Sequence, residues 1–283
     1  MWTDVKGVTA TIRRKLVTAG SKLLDWSPLL STTLRRLWKW RRLFWKWRLA
    51  ASYEYRQVHV SDTTARFPVS TRSELVRSKQ AGGERHVLAA LIDDLDGDEV
   101  VWDVGACVGT YACLIASRLS TGHVVAFEPE PVNRRRLGEN LAENAADERW
   151  RISPYALSDD TGTASLASDF REFGAGHHYL TDAETDVTVE TRRGDDLVRE
   201  GLSPPTVLKI DVQGAEGNVL SGLRETLPSV DVVYLEVHTS KCHRYGYTPG
   251  DVERRLAGAG FTIEELEGPT NYRADIDFIR AAR

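Results

Sequence analysis

The sequence predicts an α/β protein with a mostly parallel seven-stranded sheet and helices on both faces. Two observations carry that fold class. From about residue 84, short apolar runs alternate with stretches of helical spacing. A glycine pair, Gly105 and Gly109, closes the first run and opens the helix behind it. A third observation sets the first 50 residues apart. They hold 12 Lys+Arg and 2 Asp+Glu, against 25 and 39 in the remainder, so the net charge of −4 conceals a basic arm and an acidic body.

The elements follow in order. Residues 1–80 read as a basic helical extension and connector, and 81–283 as the main domain. The arm carries six of the eight Trp. Over 31–50, Arg35, Lys39, Arg42 and Lys46 share one narrow helical face, and aromatic and aliphatic side chains cover most of the rest. The main domain begins with helical spacing over 86–95 and a turn at 96–98. Strand 100–104 follows, then helix 110–119, strand 123–127 stopped by Glu128-Pro129, helix 132–146 and strand 151–157. Residues 160–196 are polar and give no clear element. Strand 206–210, helix 215–227, strand 231–237, helix 250–259 and closing strands at 261–266 and 276–279 complete the pattern.

Composition removes several classes. With 41% apolar and 28% charged residues the chain is globular rather than disordered. Cys107, Cys113 and Cys242 form no CxxC pair, so neither a disulfide framework nor a structural zinc site is expected. His177-His178 with Asp182 has no spacing for a full ligand set, and no metal site is read. No apolar run approaches the ~20 residues of a membrane span, and the N-terminus lacks the apolar core of a signal peptide. The expected location is cytoplasmic. Residues 31–50 either lie on the inner face of a membrane or pack on the domain or on a second subunit. The body has only Lys79, Lys209 and Lys241, an acidic, Lys-poor composition suited to high salt and a halophilic source. It is a poor platform for nucleic acid.

The chemistry is expected at the carboxyl ends of the strands. Asp103-Val104-Gly105-Ala106-Cys107-Val108-Gly109 lacks the glycines of a dinucleotide fingerprint and the Gly-Lys-Ser/Thr of a P-loop. Glu128 lies 19 positions after Gly109, at the end of the next strand, where two carboxylate oxygens can accept both hydroxyls of a ribose. An Asp ending strand one and a Glu ending strand two fit S-adenosylmethionine better than a dinucleotide, because that cofactor has no pyrophosphate. Asp103 would reach its methionine ammonium directly or through water. Gly105, Ala106, Gly109 and Pro129 complete the expected cofactor loop.

Residues 84–280 resemble the FkbM family of S-adenosylmethionine-dependent methyltransferases. The resemblance rests on VVWDVGACVGTYACLIAS, VVAFEPEPVNRRRLGENLAEN, YALSDDTG, VLKIDVQGAEGNVLSGL and VVYLEVH. The Lys-Ile-Asp-Val-x-Gly-Ala-Glu run is the most specific to the family. Cys107 stands where the family usually has Asn, and Gln213 where it often has Glu, which puts a base role at 213 in doubt. The resemblance implies a Rossmann-like class I methyltransferase fold. It also implies methyl transfer to a hydroxyl on a sugar, glycolipid or secondary metabolite. RNA methylation and a non-catalytic membrane-associated scaffold are the competing readings. In such a sheet strands one and four are neighbours, so Asp211 should sit near the Asp103 loop. Asp211, Glu216 and His238 are the candidates to align the acceptor and take its proton, and Asp211 is also expected to touch the cofactor. Each has a structural alternative: a helix cap, a dipole partner and a loop hydrogen bond, respectively. Asp159 either contacts the adenine amino group or sits in a turn. Tyr245 and Tyr247 are expected on the substrate side, and Cys107 as a small packing residue.

Overall fold

The computed structural model describes residues 54–168, 176, 178–267 and 275–283. The basic arm, with its expected helix over 31–50, and His177 lie outside them. A hairpin of β1 (Glu54–Val60) and β2 (Thr63–Val69) comes first. Two helices follow, α1 (Arg72–Arg77) and α2 (Arg85–Asp93). The latter part of the 1–80 extension, read as a connector with short elements, thus carries a hairpin and a short helix. Val58, Val60 and Phe67 of the hairpin are buried in one cluster with Leu88 and Leu91 of α2. In α1, Thr71 and Glu74 form a capping box, and the same Glu74 carboxylate accepts from Arg136 Nε at 2.8 Å.

The central sheet uses β3 (Val100–Val104), β4 (His123–Phe127), β5 (Trp150–Ser153), β10 (Val207–Ile210), β11 (Val232–His238), β12 (Thr262–Glu265) and β13 (Ile276–Ala282). Its order is β12-β13-β11-β10-β3-β4-β5. The five strands from β11 to β5 pair in parallel, while β13 runs antiparallel to both β11 and β12. This is the seven-stranded, mostly parallel sheet read from the sequence, with the order reversing between β3 and β10. The helices α3 (Thr110–Arg118), α4 (Pro131–Asn144), α5 (Gly194–Arg199), α6 (Glu216–Gly222) and α7 (Pro249–Gly258) cover it. None of the helices in the described residues is long and apolar enough to cross a membrane.

Alternation along each strand sorts the core into two layers. Val101, Val124, Ala126, Val207 and Tyr234 face the side of α2, α3 and α4. Trp102, Val104, Phe127, Leu208, Ile210, Val233 and Leu235 face α5, α6 and α7. Helix ends are set locally. Pro131 opens α4, whose first turn is capped by Glu130 accepting from Asn133 N at 2.6 Å.

Two differences from the sequence reading matter for the site. The single strand expected over 151–157 is divided at Pro154, which has no N–H to give a ladder. The second piece, β6 (Ala156–Leu157), leaves the central sheet. It joins β9 (Thr188–Arg192), β7 (Gly162–Ser168) and β8 (His178–Thr181) in a separate sheet of order β6-β9-β7-β8. Residues 160–196 gave no clear pattern because this sheet buries little: Ala156, Leu166 and Val189 are its own core.

Candidate active site

Between the carboxyl ends of the central strands and the smaller sheet lies a cleft with about 630 Å³ of empty volume. Gly105, Cys107, Glu128 and Pro129 line one part, and Asp211, Val212, Gln213 and Ala215 another. Tyr155, Leu157, Leu166, Tyr179 and Leu180 give it an apolar wall.

The loop after β3 is fixed by its backbone. Gly105 N and Ala106 N both donate to Phe127 O, at 3.1 and 3.0 Å. Gly105 has φ +85°, and a Cβ there would lie 1.9 Å from Asp211 O, so the loop and the end of β10 approach as closely as glycine permits. Gly109 has φ +89°, and a Cβ there would lie 2.6 Å from Leu137 Cδ1. Ala106 is buried and Gly109 is the N-cap of α3. Neither lines the cleft, and both shape the loop that does.

Glu128 is buried at the end of β4. Its Oε2 accepts from Cys107 N and its Oε1 from Glu130 N, both at 2.8 Å. Each oxygen keeps a further lone pair. Burial pushes its carboxyl up to about 8, against the downward pull of those two backbone hydrogen bonds. The Cys107 thiol is raised to about 11, again chiefly by burial.

Asp103 is fully buried beneath the loop and does not line the cleft. Its Oδ1 lies 2.9 Å from Lys209 Nζ, directly across the β3–β10 ladder. The contact is a buried ion pair, with Asp103 fully buried and Lys209 nearly so. Burial pulls the Lys209 ammonium down, but the charges of Asp103, Asp211 and Glu236 more than offset it and hold the group above the usual lysine range. Lys209 Nζ also stands 4.8 Å over the Tyr111 ring.

Asp211, Glu216 and His238 come together, with unequal exposure. Asp211 lines the cleft, whereas Glu216 and His238 are buried behind it. His238 Nδ1 lies 2.9 Å from Glu216 Oε1, and Nε2 lies 3.9 Å from Asp211 Oδ1. Glu216 also accepts from Gly214 N at 2.9 Å. Gln213, at φ +59°, donates to Asp211 Oδ1 at 3.0 Å and accepts from Lys241. Asp159 is exposed outside the cleft, where it accepts from Ser158 Oγ at 3.1 Å. The two tyrosines depart from the expectation. Neither lines the cleft: Tyr245 donates to Leu180 O at 2.9 Å, tying the smaller sheet down, and Tyr247 is buried against the turn before α6. The packing decides this, since both rings follow the short helical turn 242–245 inward.

Residues to which the sequence assigned no site role include Lys209, Glu236 and Tyr179, while His178, expected in a substrate loop or exposed, lines the cleft. Glu236 sits two positions before His238 on the same face of β11, with Oε1 3.5 Å from His238 Nε2. The signal available for it was a charged residue inside an otherwise apolar strand.

The chain matches the methyltransferase FkbM domain over residues 103–263. It belongs to that family. The FkbM-type relatives include the hexuronic acid methyltransferase AglP of Haloferax volcanii, 34% identical over 79% of this chain and 87% of the relative. The 31-O-demethyl-FK506 methyltransferase FkbM of Streptomyces tacrolimicus is 27% identical over 67% of this chain and 83% of its own. The 2-O-methyltransferase NoeI of Sinorhizobium fredii is 29% identical over 49% of this chain and 63% of its own. This chain is thus a methyltransferase, and the matched range contains the glycine loop, Glu128 and Asp211.

Proposed function

We propose that the protein transfers a methyl group from S-adenosylmethionine to a hydroxyl oxygen of a carbohydrate acceptor, of the hexuronic-acid-bearing class. Glu128 carries the cofactor part of this reading. It is a buried carboxylate lining the cleft, fixed by two backbone N–H groups, with a lone pair left on each oxygen for a ribose diol. The acceptor part is supported by the 34% identity to a hexuronic acid methyltransferase.

The bound cofactor would supply an electrophilic methyl group on a sulfonium. Gly105 lines the cleft beside it, and the apolar wall of Tyr155, Leu157 and Leu166 suits a flat heterocycle. Asp211, which lines the cleft, accepts the hydrogen bond of the acceptor hydroxyl and so aligns its oxygen. Glu216 and His238 act through Asp211, because they are buried behind it. Asp103 acts as the partner of Lys209 that steadies the loop, rather than by contact.

The test is transfer of labelled methyl from the cofactor to fractionated glycans, lipids and RNA. Label in a hexuronic-acid-containing glycan, with stoichiometric S-adenosylhomocysteine, is the expected result. Label confined to RNA, or no transfer with any fraction, overturns the reading. For the arm we propose a peripheral membrane role for residues 31–50, placing the domain near lipid-linked acceptors; Trp favours the interface and Arg and Lys favour anionic headgroups. Flotation with anionic liposomes should carry the whole chain and leave a chain starting near residue 51 behind. Equal behaviour of the two removes the role.

A further inference from the structure

We propose that Asp211, Glu236 and His238 form a divalent-cation site at the floor of the cleft, with Glu216 orienting His238 from behind. The ion's purpose rests on the oxygen-methylation reading above; its binding does not.

One ligand atom from each of the three residues lies within 4.8 Å of the others. With metal–ligand bonds of about 2.0–2.2 Å, ligand atoms stand roughly 3–4 Å apart, so the triad needs a small contraction to close on an ion. His238 gives a separate indication. It is 1% exposed, and its Nδ1 meets Glu216 Oε1 at 2.9 Å. A carboxylate on one ring nitrogen is the arrangement that fixes the tautomer of a metal-binding histidine and directs the other nitrogen at the ion. Nε2 is aimed between two carboxylates, at 3.5 Å from Glu236 and 3.9 Å from Asp211. Both distances exceed the about 2.7–3.2 Å of an N–H···O hydrogen bond.

With Nδ1 turned to Glu216, Nε2 faces the two carboxylates at the floor of the cleft. A divalent ion between these atoms would be held by both carboxylates and the imidazole together. Lys209 Nζ lies 2.9 Å from Asp103 across the β3–β10 ladder. Topology places the group. Lys209 stands opposite Tyr234, so Glu236 and His238 continue the face of β11 that lies beside Lys209 and Asp211.

Two carboxylates and one imidazole suit Mn²⁺, Zn²⁺ or Fe²⁺ better than Ca²⁺ or Mg²⁺. Asp211 is the member that lines the cleft, so the ion is reached from there. An acceptor hydroxyl bound to the ion would lose its proton to water more readily, and a neighbouring carboxylate or hydroxyl on a sugar acid could complete a chelate.

The test is a Mn²⁺ titration of the EDTA-stripped, cofactor-free full chain, followed by electron paramagnetic resonance in concentrated KCl to suppress surface binding. One Mn²⁺ per chain with a nitrogen coupling from imidazole is expected. His238→Gln should abolish the nitrogen signal. Glu216→Gln, which leaves all three ligands, should keep that signal and weaken binding about 10- to 100-fold. Mn²⁺ bound without nitrogen coupling in the wild type, equal binding in Glu236→Gln, or a flat titration because a second proton on His238 closes the cluster overturns the proposal. If the variants do not fold, the wild-type nitrogen signal decides it. No acceptor or methyl donor is present, so a wrong acceptor leaves the titration unchanged, and a failed titration leaves the methyl-transfer reading standing.

Discussion

The ends of β4 and β11 each carry a buried carboxylate, Glu128 lining the cleft and Glu236 behind it, and the two are held by different means. At β4, Glu128 is satisfied by backbone N–H groups of its own loop and of the neighbouring loop. At β11, Glu236 and His238 meet side chains from three other segments: Lys209 on β10, Asp211 beyond it and Glu216 on α6. Backbone donors are fixed once the loop folds and carry no net charge. Side-chain clusters must balance charge, and each member depends on the others. The first site is therefore robust to changes around it, and the second should respond strongly to loss of any one member.

The largest effect should come from the charge-balanced side. Lys209→Met leaves buried Asp103 without its partner and should cost about 3–5 kcal/mol of stability by urea unfolding. Combining it with Asp103→Asn should recover much of the loss. If the double variant is as unstable as Lys209→Met alone, the ion pair is not what the region depends on.

Above pH 8, where the carboxyl is ionised, Glu128→Gln should lose affinity for S-adenosylhomocysteine by about 1.5–3 kcal/mol in calorimetry, the worth of a hydrogen bond to a charged group. Unchanged affinity would separate β4 from cofactor binding.

The same residue sets a pH dependence. Its folded carboxyl is raised to about 8 from an ordinary 4.5, so the folded chain holds a proton that the unfolded chain releases. Its stabilising contribution is complete below 4.5 and is lost as pH rises toward 8. Over that window wild-type stability should fall relative to Glu128→Gln. A ribose diol donates to the ionised form, so cofactor affinity should rise with pH by up to about tenfold per unit until the carboxyl is ionised. A flat wild-type profile would contradict the burial argument.

The smallest expected effect is Tyr247→Phe. Its hydroxyl accepts from Gly217 N at 2.9 Å and donates to Gly214 O, so removal should cost about 1–2 kcal/mol in urea. The loosened turn carries Gln213 and Glu216, so kcat should fall more than cofactor affinity. Equal losses in both would mean the turn serves the whole cleft rather than the β10–β11 side.

Much of the fold was legible because its strands are continuous apolar runs and its helices have strong spacing, as at 100–104 and 123–127, which the structure reproduces. The smaller sheet was not, since β7 carries one well-buried apolar side chain in a polar strand. Tyr245 and Tyr247 show the same limit at the site: an aromatic side chain near a cleft can serve it or support it, and the sequence does not say which.

By itself the sequence determined the strand–helix alternation, the glycine turn at 105 and the carboxylate at 128, because each depends on local backbone chemistry and on one strand end. It also determined that Lys209 shares a face with Asp211, and Glu236 with His238, since side chains alternate along a strand. Only the tertiary structure decided that these two pairs stand side by side, that Asp103 turns to Lys209 rather than the cleft, and that Glu216 closes on His238. Those outcomes depend on which strands are neighbours and in what register. Register is fixed by packing both faces of the sheet at once, a condition that no single segment contains.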